Sequence, residues 1–558
     1  MPFCAYRIAP TESPSRRFGR LALLFLIVGT LCLDFLHGIV LRQDQRAFHP
    51  IYRTRQSLAV AVSRLHNPAP GGYLAYKSVI NALSEGGFVI FPWEPAPQAR
   101  GWEELLNDGT RLDRILKRAQ DIPVDASLPP DIIGGNELGY ADYIYLSFRL
   151  FGNQISSLYY LYFLLVAISC VLYVLQFRRR PFFLFLLAVY LAELYLLQSY
   201  AFSKGTELNT LANSRLFSAL SLLPGCHILF VLWQAKPLVL WQGGPWRIFT
   251  IAAVSFQSAF FAFLLTCRTE IAWQFVMVMA AAAITGIYLL RAEPLSGGPG
   301  LLRRVRKRLT PLWPAGILLL FVAANSAFVS LTADKRYALE PKGHIIWHEV
   351  LMGILSSNME LRREYVGDDP NIYSDNEVYT AVINDLNARN DSSSPISRME
   401  NGRITIELMR GWGEYDRLVR SLALRIIRDH PLQILAGLPV KARDQLEWYT
   451  ARGALAPTNL IVPIILIALA VCACAGTGAF YTNTRSLWSG FILLCLVLIF
   501  AAVTPALEPS GLAVGTLLCY LAAIAIFASC LGVVLARALA LLWERLARRA
   551  PSPALADA

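Results

Sequence analysis

The chain has 558 residues, of which 55% are hydrophobic and only 16% charged. With a mean hydropathy of +0.45, it is too apolar for an ordinary soluble enzyme and belongs with proteins that use a bilayer as solvent. Its formal net charge of +12 is mostly a topology signal carried by basic residues beside apolar runs, and no nucleic-acid partner is needed to explain it.

In chain order, apolar runs near bilayer length occupy Leu21–Leu41, Ile155–Phe177, Phe182–Phe202, Leu216–Trp233, Ile248–Thr266, Ile271–Leu290 and Leu312–Leu331. Three more follow at Leu460–Ala475, Leu487–Val503 and Leu512–Leu535. The pattern predicts an all-α polytopic membrane protein with about ten transmembrane helices and two long, mainly helical extracytoplasmic segments. The first run lacks a small-residue cleavage site and reads as an uncleaved anchor.

Lys and Arg near span ends stay on the cytoplasmic side. Residues 1–20, "FRRR", Lys236, Arg247, the basic stretch 291–308, Arg485 and the tail 537–558 are then inside, so both termini are expected in the cytoplasm of a bacterial inner membrane. Only Lys204, Arg215 and Arg268 are basic residues of the short outer loops. Nearly all of the ten cysteines fall in spans or on the inner side, and the long outer segments hold none, so packing rather than disulfides must hold those segments.

The first outer segment, 42–154, contains "TRQSLAVAVSRL", "GGYLAYKSVINALSEGG" and "GWEELLNDGTRLDRILKRAQ", each with amphipathic helical spacing. It ends in "ELGYADYIYLSFRLFGNQ", an aromatic-rich apolar stretch expected to lie in the membrane interface. Near the outer end of the first span, Asp34 and His37 share one face; at mid-span of the third, Glu193 calls for protonation or a partner, for which His227 is the nearest sequence candidate.

The second outer segment, 333–459, opens with "GHIIWHEVLMGI". His344 and His348 stand one helical turn apart, but the acid follows the second histidine, so the zinc-protease pattern is absent and two ligands do not close a site. The helix is expected to rest near the membrane edge, its histidines facing polar groups or substrate phosphate. Downstream, Asp368, Asp369 and Asp375 are weak candidates for a divalent cation, without calcium-loop spacing. Ser374 and Glu377 have capping-box spacing, and Pro431 and Pro439 interrupt the helical pattern that begins near Glu414.

The order of these parts resembles the C-type (GT-C) membrane glycosyltransferases: one span, a long outer loop with interfacial helices, then six closely connected spans. "YADYIYLSFRLFGNQISSLYYLYFLL" resembles that family's interfacial helix, turn and second span, and the resemblance covers roughly Arg20 to Thr332. It implies a seven-span module over 21–332, followed here by the outer subdomain 333–459, three spans within 460–536 and a cytoplasmic tail. It also implies sugar transfer from a polyprenyl-phosphate donor to an envelope acceptor on the outer face of the membrane.

Such transfer needs a carboxylate base at the outer boundary and cations for the leaving phosphate. The resemblance assigns the first role to Asp44, with Asp34 as the deeper candidate; Arg215 and Arg268, with Glu270 beside the latter and His344 and His348 further on, are candidates for the substrate phosphate. A divalent cation is the one cofactor the family suggests. Asp44 lacks the paired acid of D-x-D or E-D patterns. Two other classes therefore stay open: a polymerase or ligase of lipid-linked polysaccharide, and a non-enzymatic transporter or envelope-assembly protein.

Overall fold

The computed structural model describes residues 14–43, 52–66, 74–75, 131–132, 138–152, 156–203, 220–234, 245–268, 271–291, 309–333, 346–369, 375–389, 397–398, 404–405, 412–437 and 457–477, with positions 79, 217, 440 and 443. Among these the chain is almost entirely helical, as a backbone surrounded by lipid must be to satisfy its own polar groups.

The helices of the apolar part are α1 Pro14–Gln43, α2 Tyr52–His66, α3 Leu138–Phe151, α4 Ser156–Phe177, α5 Pro181–Ser203, α6 Leu222–Trp233, α7 Pro245–Cys267, α8 Ala272–Arg291 and α9 Trp313–Thr332. Proline opens α5 and α7, where its missing N–H costs nothing and its φ is already helical. Among the described residues, five stretches are long and apolar enough to cross a membrane: Arg16–Gly38, Ser157–Phe177, Pro245–Cys267, Gln274–Arg291 and Thr310–Thr332. The predicted third, fourth and eighth spans coincide with shorter apolar helices over Pro181–Leu196, Leu222–Leu232 and Thr458–Cys474. The last two predicted spans lie outside the described residues, as does the stretch expected to be helical over 101–120. Within 71–87, where helical spacing is also present, Leu74–Ala75 instead pairs antiparallel with Asp131–Ile132.

Outward-facing side chains of the bundle include Phe25 (83% exposed), Ile248 (66%) and Leu320 (66%). A surface this apolar suits lipid rather than water, which supports the membrane reading. Inside, α1 packs on α5, and α14 (Pro457–Gly476) lies against both. A second group joins α7 to α9, α6 and α3, and α6 also touches α8.

The packing sets which helix ends share a side. Gly38 of α1 is pressed onto the Phe163 ring near the start of α4, and Gly139 of α3 onto Thr266 and Cys267 at the end of α7. At the other end of α1, Gly19 meets the backbone of Ala473 and Thr477 at the end of α14, so α1 and α14 are antiparallel. The α4–α5 connection is tied by Tyr173, whose hydroxyl donates to the Phe183 carbonyl at 3.0 Å.

The LFG turn sits between α3 and α4. Gly152 has φ +90°, a left-handed conformation that terminates α3 while its N–H still donates to the Phe148 carbonyl at 2.9 Å. Tyr143 of α3 donates its hydroxyl to the Leu158 carbonyl of α4, fixing the turn from within. α2 covers α3, where Arg64 pairs with Asp142 and lies 4.7 Å from the centre of the Tyr145 ring.

Beyond α9 a separate helical core is built from α10 Ile346–Ser357, α11 Met359–Tyr365, α12 Asp375–Ala388 and α13 Trp412–Asp429. Leu351, Leu355, Val378, Ala381, Tyr415, Val419, Leu422 and Ile426 are fully buried there. Pro431 interrupts α13 as its sequence position requires, and a short helix over 431–437 turns back so that Gln433 accepts from the Asn358 side chain at 3.2 Å. Ser397–Arg398 and Ile404–Thr405 form a second two-residue ladder.

Candidate functional site

The C-terminal half of α1 presents two faces. On one, Thr30 and Asp34 stand a turn apart, each 1% exposed. Neither carboxylate oxygen of Asp34 nor the Thr30 hydroxyl has a hydrogen-bond partner among the described residues. Cys170 of α4 and Tyr190 and Tyr195 of α5 lie within electrostatic range of the Asp34 carboxyl, and His37 stacks on Tyr195 with ring centres 4.4 Å apart. Solvent or a ligand reaches the Asp34 carboxyl only if the surrounding helices part.

The other face of α1 walls an open apolar groove of ≈ 760 Å³. Leu31, Phe35 and Leu36 of α1 line it together with Phe163 and Leu164 of α4, and Phe151 at the end of α3 also contributes. Phe35 and Phe163 meet edge to face at 5.3 Å. The groove has the volume of a small-molecule pocket and an almost wholly apolar lining. Its residues are aromatic and aliphatic side chains of ordinary span sequences, so nothing in their spacing announced it.

Arg268 ends α7, its N–H donating to the Leu264 carbonyl at 2.9 Å. At 2% exposure it is among the largest fully buried side chains, directly after the crossing where Gly139 lets α3 lie on α7. A buried guanidinium needs an anionic or carbonyl environment, so the end of α7 is a polar point within the bundle. Asp44, Arg215, Glu270 and His344 lie outside the described residues.

His348 is 8% exposed, and its Nδ1 is hydrogen-bonded to the Tyr415 hydroxyl at 2.6 Å, with the Tyr379 ring 5.3 Å away. It shares a helix face with Leu351, Met352 and Leu355, so the side of α10 expected to meet the membrane edge packs into the subdomain core. Asp368 is exposed and bound to Arg363 at 2.6 Å, while the Asp369 backbone carbonyl accepts from Arg362 at 2.8 Å. Asp375 opens α12. Among the described residues no three His, Cys, Asp or Glu side chains are grouped to hold a metal ion. Glu377, placed by its spacing in a capping box, has its Oε1 accepting from Arg362 at 2.9 Å; a guanidinium is the stronger donor for a buried carboxylate.

His227 differs from expectation in its partner. Gln257 of α7 donates to its Nδ1 at 3.1 Å and to the Ser169 carbonyl at 3.1 Å, while the Ser169 hydroxyl donates to Gln257 at 2.7 Å. Glu193, 3% exposed on α5, is not part of this network. A glutamine in an apolar span was the signal for it, because a buried amide must find partners. Gln257→Leu is expected to lower bundle stability by about 1 kcal/mol, the scale of hydrogen bonds between membrane helices. Thermal unfolding of the purified chain in detergent measures it, and an unchanged midpoint would show the network to be energetically idle.

No known protein family, no curated protein and no solved structure matches the chain.

Proposed function

We propose that this chain is a glycosyltransferase of the inner membrane that takes a sugar from a polyprenyl-phosphate donor and passes it to an envelope acceptor on the α3 side, the outer face. The observation that carries the reading is the groove between α1 and α4, an open apolar slot that Phe151 of α3 also lines. An isoprenoid tail fits such a lining, and its phosphate would then stand at the depth of the helix ends. The buried Arg268 at the end of α7 supports an anion site at that depth.

In this reading the acceptor oxygen attacks the anomeric carbon and gives its proton to a carboxylate. The bond from that carbon to the phosphate oxygen breaks, and the electron pair leaves with the lipid phosphate, which Arg268 and Arg215 stabilise. Asp44, just beyond α1, is the base assigned by resemblance; the enclosed Asp34 suits a supporting role better than contact with a bulky acceptor.

The test uses the full chain in liposomes with a radiolabelled polyprenyl-phosphate sugar and an envelope glycan acceptor. Wild type is expected to release polyprenyl phosphate and label the acceptor, while Asp44→Asn and Arg268→Gln each reduce this to background. Leu36→Trp, which fills the groove, is expected to raise the donor concentration needed for half-maximal rate. Full envelope modification in cells carrying either charge variant would sink the proposal. Release of a lipid diphosphate with lengthening of the glycan would point to a polymerase instead.

A further inference from the structure

The helical subdomain carries a face that its own core does not explain. On α13 the side opposite Tyr415, Val419, Leu422 and Ile426 holds Leu424 and Ile427, exposed, flanked by Arg417, by Arg420 over the Trp347 ring and by Arg428, whose exposed guanidinium also pairs with Asp429 at 2.8 Å. The following helix turns Ile434 and Gly437 toward α10 and α11, which leaves Leu432 (78% exposed) and Leu435 (60%) pointing away. Exposed Leu and Ile on two consecutive helices are costly in water. Leucines interspersed with arginines are the composition of a helix lying in a membrane interface, where the aliphatic groups enter the acyl boundary and the guanidinium groups meet phosphates.

Connectivity supplies the surface. The subdomain is joined to apolar helices at both ends: residues 333–345 link α9 to α10, and residues 438–456 link the 431–437 helix to α14. A link of that first length reaches at most about 45 Å when extended, so the subdomain stays beside the bilayer that holds α9. We infer that the face formed by α13 and residues 431–437 rests on the lipid surface of that bilayer, with its arginines on anionic phospholipid headgroups. The contact would hold the subdomain in one orientation over the membrane, independently of whether the chain is a glycosyltransferase.

The experiment places a photoreactive benzophenone amino acid at Leu435 in the full chain, in liposomes containing phosphatidylglycerol. Position 320, on the lipid-facing side of α9, serves as the positive control, and Asn387, exposed on α12, as the negative one. Phospholipid adducts are expected at 320 and 435 and not at 387. Replacing Arg417 and Arg428 with Gln, or phosphatidylglycerol with phosphatidylcholine, is expected to reduce the adduct at 435 by about five-fold or more and leave that at 320 unchanged. Crosslinks from 435 to protein alone, whether to another segment of the chain or to a second copy, would overturn the inference. So would equal lipid adducts at 387 and 435, or a yield at 435 indifferent to lipid charge and to both arginines.

Discussion

Replacing Arg362 with alanine is expected to destabilise the helical subdomain by about 3 kcal/mol or more, the cost of leaving a buried carboxylate without its cation. Arg362 holds Glu377 at 2.9 Å with the two side chains only 11% and 7% exposed, and also donates to the carbonyls of Gly367 (3.4 Å) and Asp369 (2.8 Å). One side chain therefore ties α11, the turn after it and the start of α12. Hydrogen exchange in the full chain is the appropriate measurement: amides of α10, α12 and α13 should lose protection together while those of α4 and α7 keep theirs. Arg362→Lys keeps the charge but not the planar fork, and should fall between wild type and alanine. Unaltered protection of α12 in the alanine variant would mean that the pair is incidental to the subdomain.

Gly139→Val is expected to separate α3 from α7. A Cβ at position 139 would stand 2.6 Å from the Thr266 carbonyl carbon and 2.8 Å from the Cys267 nitrogen, both backbone atoms that a rotamer change cannot move aside. Overpacking of this kind costs about 1–3 kcal/mol, and here the strain falls on the residues immediately before Arg268. The variant should melt earlier in detergent and, if the end of α7 holds the donor phosphate, bind the lipid-linked sugar more weakly. Gly139→Ala, with the same Cβ and no branches, should show a smaller version of both effects. Valine tolerated without change in melting would show that the crossing is loose.

Parts of this architecture were plain in the residues. Hydropathy placed the apolar helices because lipid accepts only long uncharged stretches, and the five bilayer-length helices fall on predicted spans. Gly152 and Pro431 marked real interruptions, since a left-handed φ and a missing N–H are properties of single residues. The helical spacing of "TRQSLAVAVSRL" became α2, whereas similar spacing around Leu74 did not prevent a strand pair with Asp131 and Ile132, a partner more than fifty residues away.

The candidate site was less legible. Asp34 stood out as an acid in an apolar run, but its complete enclosure depends on α4 and α5 closing over it. His348 was expected to face polar groups or a substrate phosphate, but spacing within one helix could not say that the group it meets is Tyr415, far along the chain. His227 found Gln257 rather than Glu193 because α6 faces α7 at that level, a fact of helix rotation that spacing within one helix does not contain.

The sequence by itself determined that the chain is mainly helical with helices apolar enough to cross a membrane, where those helices run, and which residues are polar enough to demand an explanation. Those properties follow from the transfer of individual side chains and backbone groups between water and lipid, which each residue carries with it. Only the tertiary structure decided which polar groups meet, which are enclosed, that α1 and α4 leave an apolar groove between them, and that α13 keeps an apolar and basic face outside its own core. Those depend on which helix covers which face, and that choice is made between segments distant in sequence.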